Sequence, residues 1–470
     1  MNPKLRWTAI IMAAGQGTRM RSNIAKVAHS LAGRPILRHV VTATRDCGID
    51  DCIVVVRSEA DEVRAAAGSG VRFAVQHDPS GTAGAIEAAR QEAGHADYIL
   101  IMNGDVPLVL PSTLKRLRAA VSGEDGSTAD THGADLALLT AEVPVEDYGI
   151  LVFDAENRIS EIIETKSRGE LNGGARRMIN SGQYAVRAEW LWSRLGRISP
   201  SPNGERYLTA LAAIAHGEGK PAIAVIAEEA DEVRGINDRV QLAHAEGIVR
   251  ERLRTQHMLA GVTIIDPPST FIDAGAQIGI DTTLYPATHL VGETSIGTNC
   301  KIGPGTIVEN SSIAERCVVR LSLVQESTLE ADVDVGPYSH LRPGAYICEG
   351  AHIGNFAEVK ASRLGRNVHM GHFSYIGDAE VGDDVNIGAG TITANYDGAE
   401  KHRTVIGDGA FIGSDSMLIA PVRIGRGART SAGSVVTRDV PDGALAVGAP
   451  ARIRASANDA AAMEEPHSGR

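Results

Sequence analysis

A branched aliphatic residue recurs every six positions over most of the C-terminal half of the chain. Many of these residues precede a glycine, as at Ile296 and Ile412. A period of six is typical of solenoids in which each hexapeptide forms one short strand and a turn, with three hexapeptides per coil. We therefore predict a β-helix over residues 271–440, with glycine allowing corner shapes that a Cβ would forbid. The recurring aliphatics are Ile278, Leu284, Leu290, Ile296, Ile302, Val335, Leu341, Ile347, Ile353, Ile376, Val381, Ile387, Ile406, Ile412, Leu418 and Ile424.

The N-terminal half has a different pattern, in which short apolar runs alternate with helical segments. Apolar runs at residues 8–12, 52–56, 71–75 and 98–102 predict strands, and an alanine-rich helix is expected after Ser80. Strands joined by crossover helices form mostly parallel sheets. Such sheets bind ligands at the carboxyl ends of their strands. We therefore expect a site where the first and fourth runs end.

The same patterns predict the division of the chain into domains. Residues 238–260 lack proline and carry apolar residues at helical spacing, which indicates a connecting helix. We expect an α/β domain over residues 1–237, a linker helix over residues 238–261 and a β-helix domain over residues 262–454. The remaining residues, 455–470, are small and charged and are predicted to form a mobile tail.

Composition narrows the function classes. The 470 residues carry a formal net charge of −12 and only 4% aromatics, which argues against a nucleic-acid-binding protein. Five cysteines form no CxxC pair and no even set, which favours a reducing, cytoplasmic setting. No apolar segment reaches the roughly 18 residues of a membrane span, so we expect no membrane partner.

A glycine-rich turn follows the first predicted strand. Gly15 and Gly17 precede Arg19 and Lys26, and Asp105 stands just after the fourth predicted strand. Backbone N–H groups and two cations can hold a triphosphate, and a carboxylate is a hard oxygen ligand for Mg²⁺. No Gly-Lys-Ser/Thr follows, which excludes a Walker loop. Singly these residues could be an ordinary turn and a helix cap, whereas together they indicate a nucleotide site.

These residues resemble the signature of the sugar-1-phosphate nucleotidylyltransferases, Ala-Ala-Gly-x-Gly-Thr-Arg-Met followed by Pro-Lys. Residues 13–20 and Lys26 match it, with Ala25 in place of the proline. With the hexapeptide half included, residues 8–450 resemble the bacterial bifunctional N-acetylglucosamine-1-phosphate uridyltransferase and glucosamine-1-phosphate N-acetyltransferase family. The resemblance implies an α/β Rossmann-like nucleotidyltransferase domain followed by a left-handed parallel β-helix (hexapeptide repeat) acetyltransferase domain. It also implies Mg²⁺ as the cofactor, acetyl-CoA as acetyl donor, UTP as co-substrate and a homotrimer formed through the β-helix.

The resemblance assigns roles to residues of the first half. Arg19 and Lys26 would be catalytic, and Asp105 and Asn237 would hold Mg²⁺. The residues implied in nucleotide and sugar binding are Met12, Ala13, Ala14, Gly15, Lys26, Gln76, Gly81, Thr82, Asn103, Gly104, Asp105, Gly149, Glu164, Asn180 and Asn237. Of these, Gly149, Glu164 and Asn180 would line the sugar site.

The second half matches the family at residues 341–344, 354–360, 371–375 and 386–390, in the family's order. An insert at residues 393–398 interrupts the hexapeptides, and solenoids place such loops on one face, often the binding face. By resemblance, the sugar phosphate binds Arg342 and Lys360, while Tyr375 and Asn386 complete the sugar pocket. Acetyl-CoA would be bordered by Ala389, Asn395, Tyr396, Ser414 and Ala432. Ala449 stands where the family carries a basic residue.

His372 is the candidate general base of the second half, and chemistry supports it independently of the resemblance. An amine that attacks a thioester must lose a proton as the new bond forms, and imidazole accepts protons near neutral pH. A lone histidine on a solenoid corner is more often inert surface. Here it lies between two predicted basic anchors and the insert, close to Tyr375, which favours catalysis.

Two other interpretations remain open at this point. In one, the chain is a nucleotidylyltransferase whose β-helix only oligomerises or regulates. In the other, the β-helix is a metalloenzyme similar to the γ-class carbonic anhydrases, whose zinc is held by three histidines on the helix walls. The candidate ligands for that interpretation are His340, His352, His369 and His372.

Overall fold

The computed structural model divides into two compact units, Met1–Val249 and Arg250–Arg470, and the division falls within one long helix. The predicted mobile tail, residues 455–470, lies outside the described residues. The structure describes residues 5–15, 17–58, 60–78, 80–123, 134–144, 148–164, 176–202 and 204–454.

The first unit is an α/β structure, as predicted. Its strands are β1 (Trp7–Met12), β2 (Ser30–Leu31), β3 (Arg34–Pro35), β4 (Cys52–Val56), β5 (Arg72–Val75), β6 (Tyr98–Asn103), β7 (Leu136–Pro144), β8 (Gly149–Phe153), β9 (Ile159–Ile163), β10 (Arg176–Arg187) and β11 (Ile223–Ile226). Its helices are α1 (Ile36–Asp46), α2 (Asp61–Ala67), α3 (Gly81–Ala88), α4 (Arg90–Ala93), α5 (Pro111–Ser122), α6 (Ala188–Arg194) and α7 (Ala210–Gly217), followed by the long helix α8 (Arg239–Leu259). The strands expected at residues 8–12, 52–56, 71–75 and 98–102 are β1, β4, β5 and β6.

The main sheet of this unit has the strand order β11-β7-β10-β6-β1-β4-β5, with β8 and β9 joined to it through β10. β1 is parallel to β4 and to β6, whereas β10 runs antiparallel to β6 and β7. Successive residues of β1 point into two different cores, with Ile11 in one and Ile10 in the other. The sheet is therefore covered on both faces, as its continuous apolar strands predict. Met12 and Asn103 are partners in the ladder, so the carboxyl ends of β1 and β6 adjoin.

The second unit is the predicted β-helix. Its strands are β12 (Thr263–Ile264), β13 (Phe271–Ile272), β14 (Gln277–Ile278), β15 (Thr283–Leu284), β16 (His289–Val291), β17 (Ser295–Ile296), β18 (Lys301–Ile302), β19 (Ile307–Glu309), β20 (Ser312–Ile313), β21 (Val318–Val319), β22 (Leu323–Gln325), β23 (Thr328–Leu329), β24 (Asp334–Val335), β25 (His340–Leu341), β26 (Tyr346–Ile347), β27 (His352–Ile353), β28 (Ala357–Lys360), β29 (Arg363–Leu364), β30 (His369–Met370), β31 (Ser374–Gly377), β32 (Ala379–Val381), β33 (Asn386–Ile387), β34 (Ile392–Ala394), β35 (Thr404–Ile406), β36 (Phe411–Ile412), β37 (Met417–Ile419), β38 (Val422–Ile424), β39 (Arg429–Thr430), β40 (Val435–Val436), β41 (Leu445–Val447) and β42 (Arg452–Arg454).

These strands form three walls. Wall 1 contains β12, β15, β18, β21, β24, β27, β30, β33, β36, β39, β41 and β42. Wall 2 contains β13, β16, β19, β22, β25, β28, β31, β34, β37 and β40, and wall 3 contains β14, β17, β20, β23, β26, β29, β32, β35 and β38. Strands within a wall are parallel except for β42, which pairs antiparallel with β41. From β12 to β40 the wall assignment repeats every three strands, which is the coil expected of hexapeptide repeats.

The recurring aliphatics form the core of the β-helix. Each of them is buried except Ile278, which is half-buried and packs against the same cluster. The glycines after the aliphatics have a different role from the predicted one at several corners. A Cβ on Gly297 would lie 2.6 Å from the backbone of Ala314, and one on Gly413 would lie 2.6 Å from the carbonyl oxygen of Thr430. Close approach of the next coil, rather than a special corner shape, therefore requires glycine at these two positions.

Candidate active sites

The glycine turn after β1 brings a lysine to the end of the sheet. Gly17 has a φ of 62°, in the left-handed region, and begins the short 3₁₀ helix Thr18–Met20. A Cβ on Gly17 would lie 2.6 Å from the Cβ of Lys26. Glycine is therefore required both by the backbone angle and by the packing of Lys26 against the turn. Arg19, on the 3₁₀ helix, is exposed.

Lys26, Asp105 and Asn237 form one cluster at the carboxyl ends of β1 and β6. The ammonium of Lys26 forms an ion pair with the Oδ2 of Asp105, and it donates a hydrogen bond to the Oδ1 of Asn237 at 3.0 Å. The Asp105 carbonyl accepts a hydrogen bond from the N–H of Ile236 at 2.9 Å, which holds the segment carrying Asn237 beside the carboxylate. Two oxygens thus converge on one cation.

A cavity of about 230 Å³ lies beside this cluster. Its lining includes most of the predicted nucleotide and sugar residues, namely Met12, Thr82, Asn103, Asp105, Gly149, Glu164, Asn180 and Asn237. The predicted residues that lie outside this lining, among the described residues, are Ala13, Ala14, Gly15, Arg19, Lys26, Gln76, Gly81 and Gly104. Of these, Gln76 donates to the Gly81 carbonyl at 3.3 Å, and the N–H of Gly104 donates to the Met12 carbonyl at 2.9 Å.

Hydrogen bonds hold the polar side chains of this cavity in position. The Nδ2 of Asn180 donates to the hydroxyl of Tyr184 at 2.7 Å, and burial raises the pKa of Tyr184, so the phenol stays neutral. The Oε1 of Glu164 accepts a hydrogen bond from the hydroxyl of Thr209 at 3.0 Å. A Cβ on Gly149 would lie 2.9 Å from the side chain of Ile162, so a larger residue here would have to displace that side chain. The lining is therefore a set of fixed hydrogen-bonding groups.

Sequence reasoning missed several residues that line this cavity, among them Tyr184, Tyr207 and Thr209. Tyr184 follows Asn180 on β10, and a bulge between them interrupts the ladder with β7. Tyr207 and Thr209 belong to the segment before α7, which the hydrogen bond from the Leu208 N–H to the Thr82 hydroxyl ties to α3. The contact between Leu208 and Thr82, which are far apart in the sequence, brings Tyr207 and Thr209 to the cavity, so sequence patterns alone could not predict it.

The second unit contains a larger cavity, of about 920 Å³, at the corner between walls 1 and 2. Five predicted residues line it together: His372, Asn386, Ala389, Ser414 and Ala432. The corner residues lie in successive coils, because Gly390 donates to the carbonyl of Phe373, Asp415 to that of Ala389 and Gly433 to that of Ser414. His372 is exposed at one end of this column.

The remaining predicted residues of the second unit lie along wall 2, away from that cavity. Arg342 forms an ion pair with Glu358 at 2.7 Å, which raises the pKa of the guanidinium. In the wall 2 ladder, Glu358 is the partner of Tyr375. The Nδ2 of Asn395 lies 3.5 Å from the Tyr375 hydroxyl. Within one chain, Tyr375 and Asn386, predicted to complete one sugar pocket, thus lie on different walls.

Lys360 lies next to another lysine that sequence reasoning missed. A hydrogen bond with Lys401, and then the charge of that ammonium, lowers the pKa of Lys360. Lys401 belongs to the insert between β34 and β35, where it forms a bridge with the exposed Tyr396. Two cations that repel each other in this way are stabilised by an anion placed between them.

The four histidines of the metalloenzyme interpretation are divided between walls. His340 lies on wall 2 and contacts the Oε1 of Gln325 at 2.9 Å. His352 and His369 lie on wall 1 with their rings stacked at 4.8 Å, and burial lowers the pKa of His369. In the part of the chain that the structure describes, no group of three or more His, Cys, Asp or Glu side chains could hold a metal ion.

The fold and the two cavities define a class of enzyme with a nucleotidyltransferase unit and a hexapeptide-repeat acyltransferase unit. Residues 9–185 match the MobA-like NTP transferase domain, and residues 403–438 match the bacterial transferase hexapeptide model. Bifunctional protein GlmU of Trichlorobacter lovleyi is 43% identical to the chain over 445 residues, covering 93% of this chain and 95% of the relative. GlmU of Heliobacterium modesticaldum is 43% identical over 443 residues, with 94% and 95% covered. GlmU of Synechococcus elongatus is 42% identical over 442 residues, with 93% and 95% covered.

The chain belongs to the GlmU family of bifunctional proteins. The resemblance found in the sequence is thereby confirmed, as is the expectation of a uridylyltransferase and acetyltransferase enzyme. The described residues include no helix that is long and apolar enough to cross a membrane.

Proposed function

We propose that the chain makes UDP-N-acetylglucosamine in two steps. The second unit transfers an acetyl group from acetyl-CoA to glucosamine 1-phosphate. The first unit then transfers a uridylyl group from UTP to N-acetylglucosamine 1-phosphate and releases pyrophosphate. The observation that carries this proposal is the presence of two separate cavities, each lined by predicted residues for one of the two reactions.

In the first unit, the residues fit a Mg²⁺ site. Asp105 and Asn237 present one carboxylate and one amide oxygen to a common cation, which here is the Lys26 ammonium. Both are hard oxygen ligands, and Mg²⁺ in phosphate-transferring enzymes takes its remaining ligands from phosphates and water. When bound, the ion neutralises charge that builds on the pyrophosphate as it leaves.

The residues of the first unit position the two substrates for in-line displacement. The sugar phosphate oxygen attacks the α-phosphorus of UTP while the bond to the pyrophosphate oxygen breaks. Arg19, the glycine turn and Lys26 bind the triphosphate, and Lys26 is placed to pair with it once Asp105 has another cation. Glu164 and Asn180, fixed by Thr209 and Tyr184, accept and donate hydrogen bonds to the sugar. Positioning and charge stabilisation of this kind account for most of the catalysis of phosphoryl transfer.

In the second unit, we propose that His372 is the general base. The amine of glucosamine 1-phosphate attacks the thioester carbonyl, a C–N bond forms and the C–S bond breaks. His372 takes the proton from the amine and passes it to the departing thiolate. Arg342, Lys360 and Lys401 bind the sugar phosphate, which relieves the repulsion between the two ammonium groups.

We infer that a homotrimer completes the acetyl-transfer site. His372 and the basic residues lie on different parts of one chain, so two copies would bring a base and a phosphate site together. The corner that carries His372 also exposes three aromatic side chains in a column, Tyr338 (57% exposed), Phe356 (61%) and Phe373 (56%). Tyr338 and Phe356 stack at 5.3 Å. An apolar column of this kind is typical of a surface covered by another chain.

The cysteines, all free and buried, fit the proposed cytoplasmic setting.

One coupled assay tests the proposal. The protein is given glucosamine 1-phosphate, acetyl-CoA, UTP and Mg²⁺, and free thiol and pyrophosphate are followed separately. We expect stoichiometric release of both products, with thiol appearing first. Release of pyrophosphate from UTP and added N-acetylglucosamine 1-phosphate, with no release of thiol, would contradict it. That result would support the other interpretation, a nucleotidyltransferase whose β-helix is not catalytic.

A further inference from the structure

Two arginines line the cavity of the second unit in the coils beyond His372. Arg429 lies on β39 and Arg454 on β42. In the wall 1 ladder, Arg429 is the partner of Leu445, and Leu445 is the partner of Arg454. Residues paired in register leave the same face of a sheet, and neighbouring strands are about 4.8 Å apart. The two side chains therefore leave one face about 10 Å from each other.

The guanidinium of Arg429 is held in place without losing its hydrogen-bonding capacity. It lies 4.9 Å from the centre of the Phe411 ring, and such stacking leaves its N–H groups free to bind an anion. In the part of the chain that the structure describes, neither Arg429 nor Arg454 forms an ion pair with a carboxylate. By contrast, the exposed Arg316 pairs with Asp332 at 2.7 Å. The cavity thus presents two cationic groups whose charge no described acidic residue offsets.

The position of these arginines along the cavity matches the layout of the coenzyme. His372 follows β30, and Arg429 lies on β39, three strands further along wall 1, which is about 14 Å. In coenzyme A, the phosphate groups are separated from the thiol by the extended pantetheine arm. With the thioester near His372 and the arm along the corner of Ala389, Ser414 and Ala432, the nucleotide end reaches the coils of Arg429 and Arg454.

We propose that Arg429 and Arg454 form the phosphate-binding subsite for the nucleotide end of acetyl-CoA. The inference rests on the proposed acetyl-transfer function of this cavity. Arginine binds phosphate oxygens through two parallel N–H groups. Coenzyme A carries phosphates at both the 5′ and 3′ positions of its ribose, so two separated cations suit it better than one. The neutral Ala449 supplies no charge at the end of the column.

Calorimetric binding of coenzyme A and of 3′-dephospho-coenzyme A to the full-length protein tests the subsite. Arg429→Ala and Arg454→Ala are compared with the wild type and with the control variant Arg316→Ala. Arg316 is an arginine that precedes β21, and in the strand order of wall 1 β21 is far from the strands that line the cavity. Removing one charge-assisted contact weakens binding about 10- to 100-fold. We expect that loss for coenzyme A with each cavity variant and an unchanged Kd with Arg316→Ala. We also expect at least one cavity variant to lose the wild type's preference for coenzyme A over the dephospho form.

The variants also separate a binding role from a structural one. Arg454→Ala alters an exposed residue at the end of the last strand, so it tests the subsite even if Arg429→Ala folds poorly. Pyrophosphate release and oligomeric state should be unchanged in both, and at saturating acetyl-CoA the kcat of thiol release should stay near the wild-type value while KM rises. Wild-type Kd values for both ligands in both cavity variants would overturn the subsite alone. A wild type that binds no coenzyme A would overturn the acetyl-CoA site itself, and with it the proposed acetyl transfer.

Discussion

Lys26 and Asp105, 79 residues apart in the sequence, form an ion pair with both side chains largely buried, at 13% and 23% exposure. The pair joins the glycine turn after β1 to the end of β6, and Asn237 adds a third polar group from the segment before α8. These three residues are the centre of the Mg²⁺ site that we propose for the first unit.

Asp105→Ala is expected to reduce pyrophosphate release about 100-fold or more, because it removes the carboxylate proposed to hold Mg²⁺ beside the transferring phosphate. Asp105→Asn, which keeps the size and loses the charge, should have nearly the same effect. The measurement is initial velocity with UTP and N-acetylglucosamine 1-phosphate in saturating Mg²⁺. Thiol release from acetyl-CoA serves as the internal control and should not change. Substantial pyrophosphate release in either variant would remove Asp105 from the metal site.

Fragments should separate the two activities, because each unit has its own hydrophobic core. A fragment ending near Ala260 is expected to release pyrophosphate, to lack acetyl transfer and to behave as a smaller species in light scattering. A fragment beginning near Gly261 is expected to be trimeric. A monomeric β-helix fragment with full acetyltransferase activity would contradict a site shared between subunits.

Gly297→Ala should destabilise the β-helix by about 1–3 kcal/mol, because the new Cβ would press on the backbone of the next coil. Gly247→Ala is the matched control. That glycine lies in α8 with open space around it, so alanine should stabilise the helix by about 1 kcal/mol. Urea unfolding followed by circular dichroism compares the two variants. Equal effects of both substitutions would show that close packing of coils does not explain Gly297.

Protonation of Glu218 should lower the stability of the first unit in acid. The Trp190 indole N–H donates to its Oε2 at 3.0 Å and Arg197 and Arg194 add hydrogen bonds, which lowers the pKa of Glu218 from 4.5 to about 2. A carboxyl group with a depressed pKa stabilises the fold fully above its unfolded pKa, and this contribution is lost as the pH falls toward the folded value.

The difference in Tm between the wild type and Glu218→Gln should therefore be large at pH 6 and shrink between about pH 4.5 and about pH 2. Tryptophan fluorescence reports the transition near Trp190. Glu142→Gln, which alters an exposed glutamate 3.9 Å from Arg176, should show little effect at any pH. A pH-independent effect of Glu218→Gln would mean that the ionised carboxylate does not stabilise this region.

Periodic features were predictable from the sequence, because they repeat local rules. Ile296, Ile302 and most of the other aliphatics repeat every six residues until an insert or a shift of frame interrupts the period, and their burial in the β-helix core follows from it. The strand ends carrying Met12 and Asn103 follow from apolar runs and from the geometry of parallel sheets. Two residues of the family motifs, His372 and Asn386, line one cavity in the folded chain.

The features that were missed depend on contacts between distant segments. The pairing of Glu164 with Thr209, and of Lys360 with Lys401, arises only when the chain is folded. The hydrophobic pattern also assigns buried polar residues to the surface. Thr288 is an example, and its hydroxyl donates a hydrogen bond to the Tyr285 carbonyl at 2.7 Å. The position of Arg429 could have been predicted from the repeat. It lies 18 residues, or three hexapeptides, after Phe411 and is therefore on the same wall.

His372→Ala tests most directly whether the β-helix is an enzyme with its own base. Loss of a positioned general base typically costs about 10²- to 10⁴-fold in rate, so thiol release from acetyl-CoA with glucosamine 1-phosphate should fall by that factor. His372 is exposed on a corner and outside the aliphatic core. The variant should therefore fold, keep its oligomeric state and release pyrophosphate normally from UTP and N-acetylglucosamine 1-phosphate. Thiol release at the wild-type rate in this variant would show that His372 is not the base, and a wild type that releases no thiol would show that the β-helix has no acetyltransferase site.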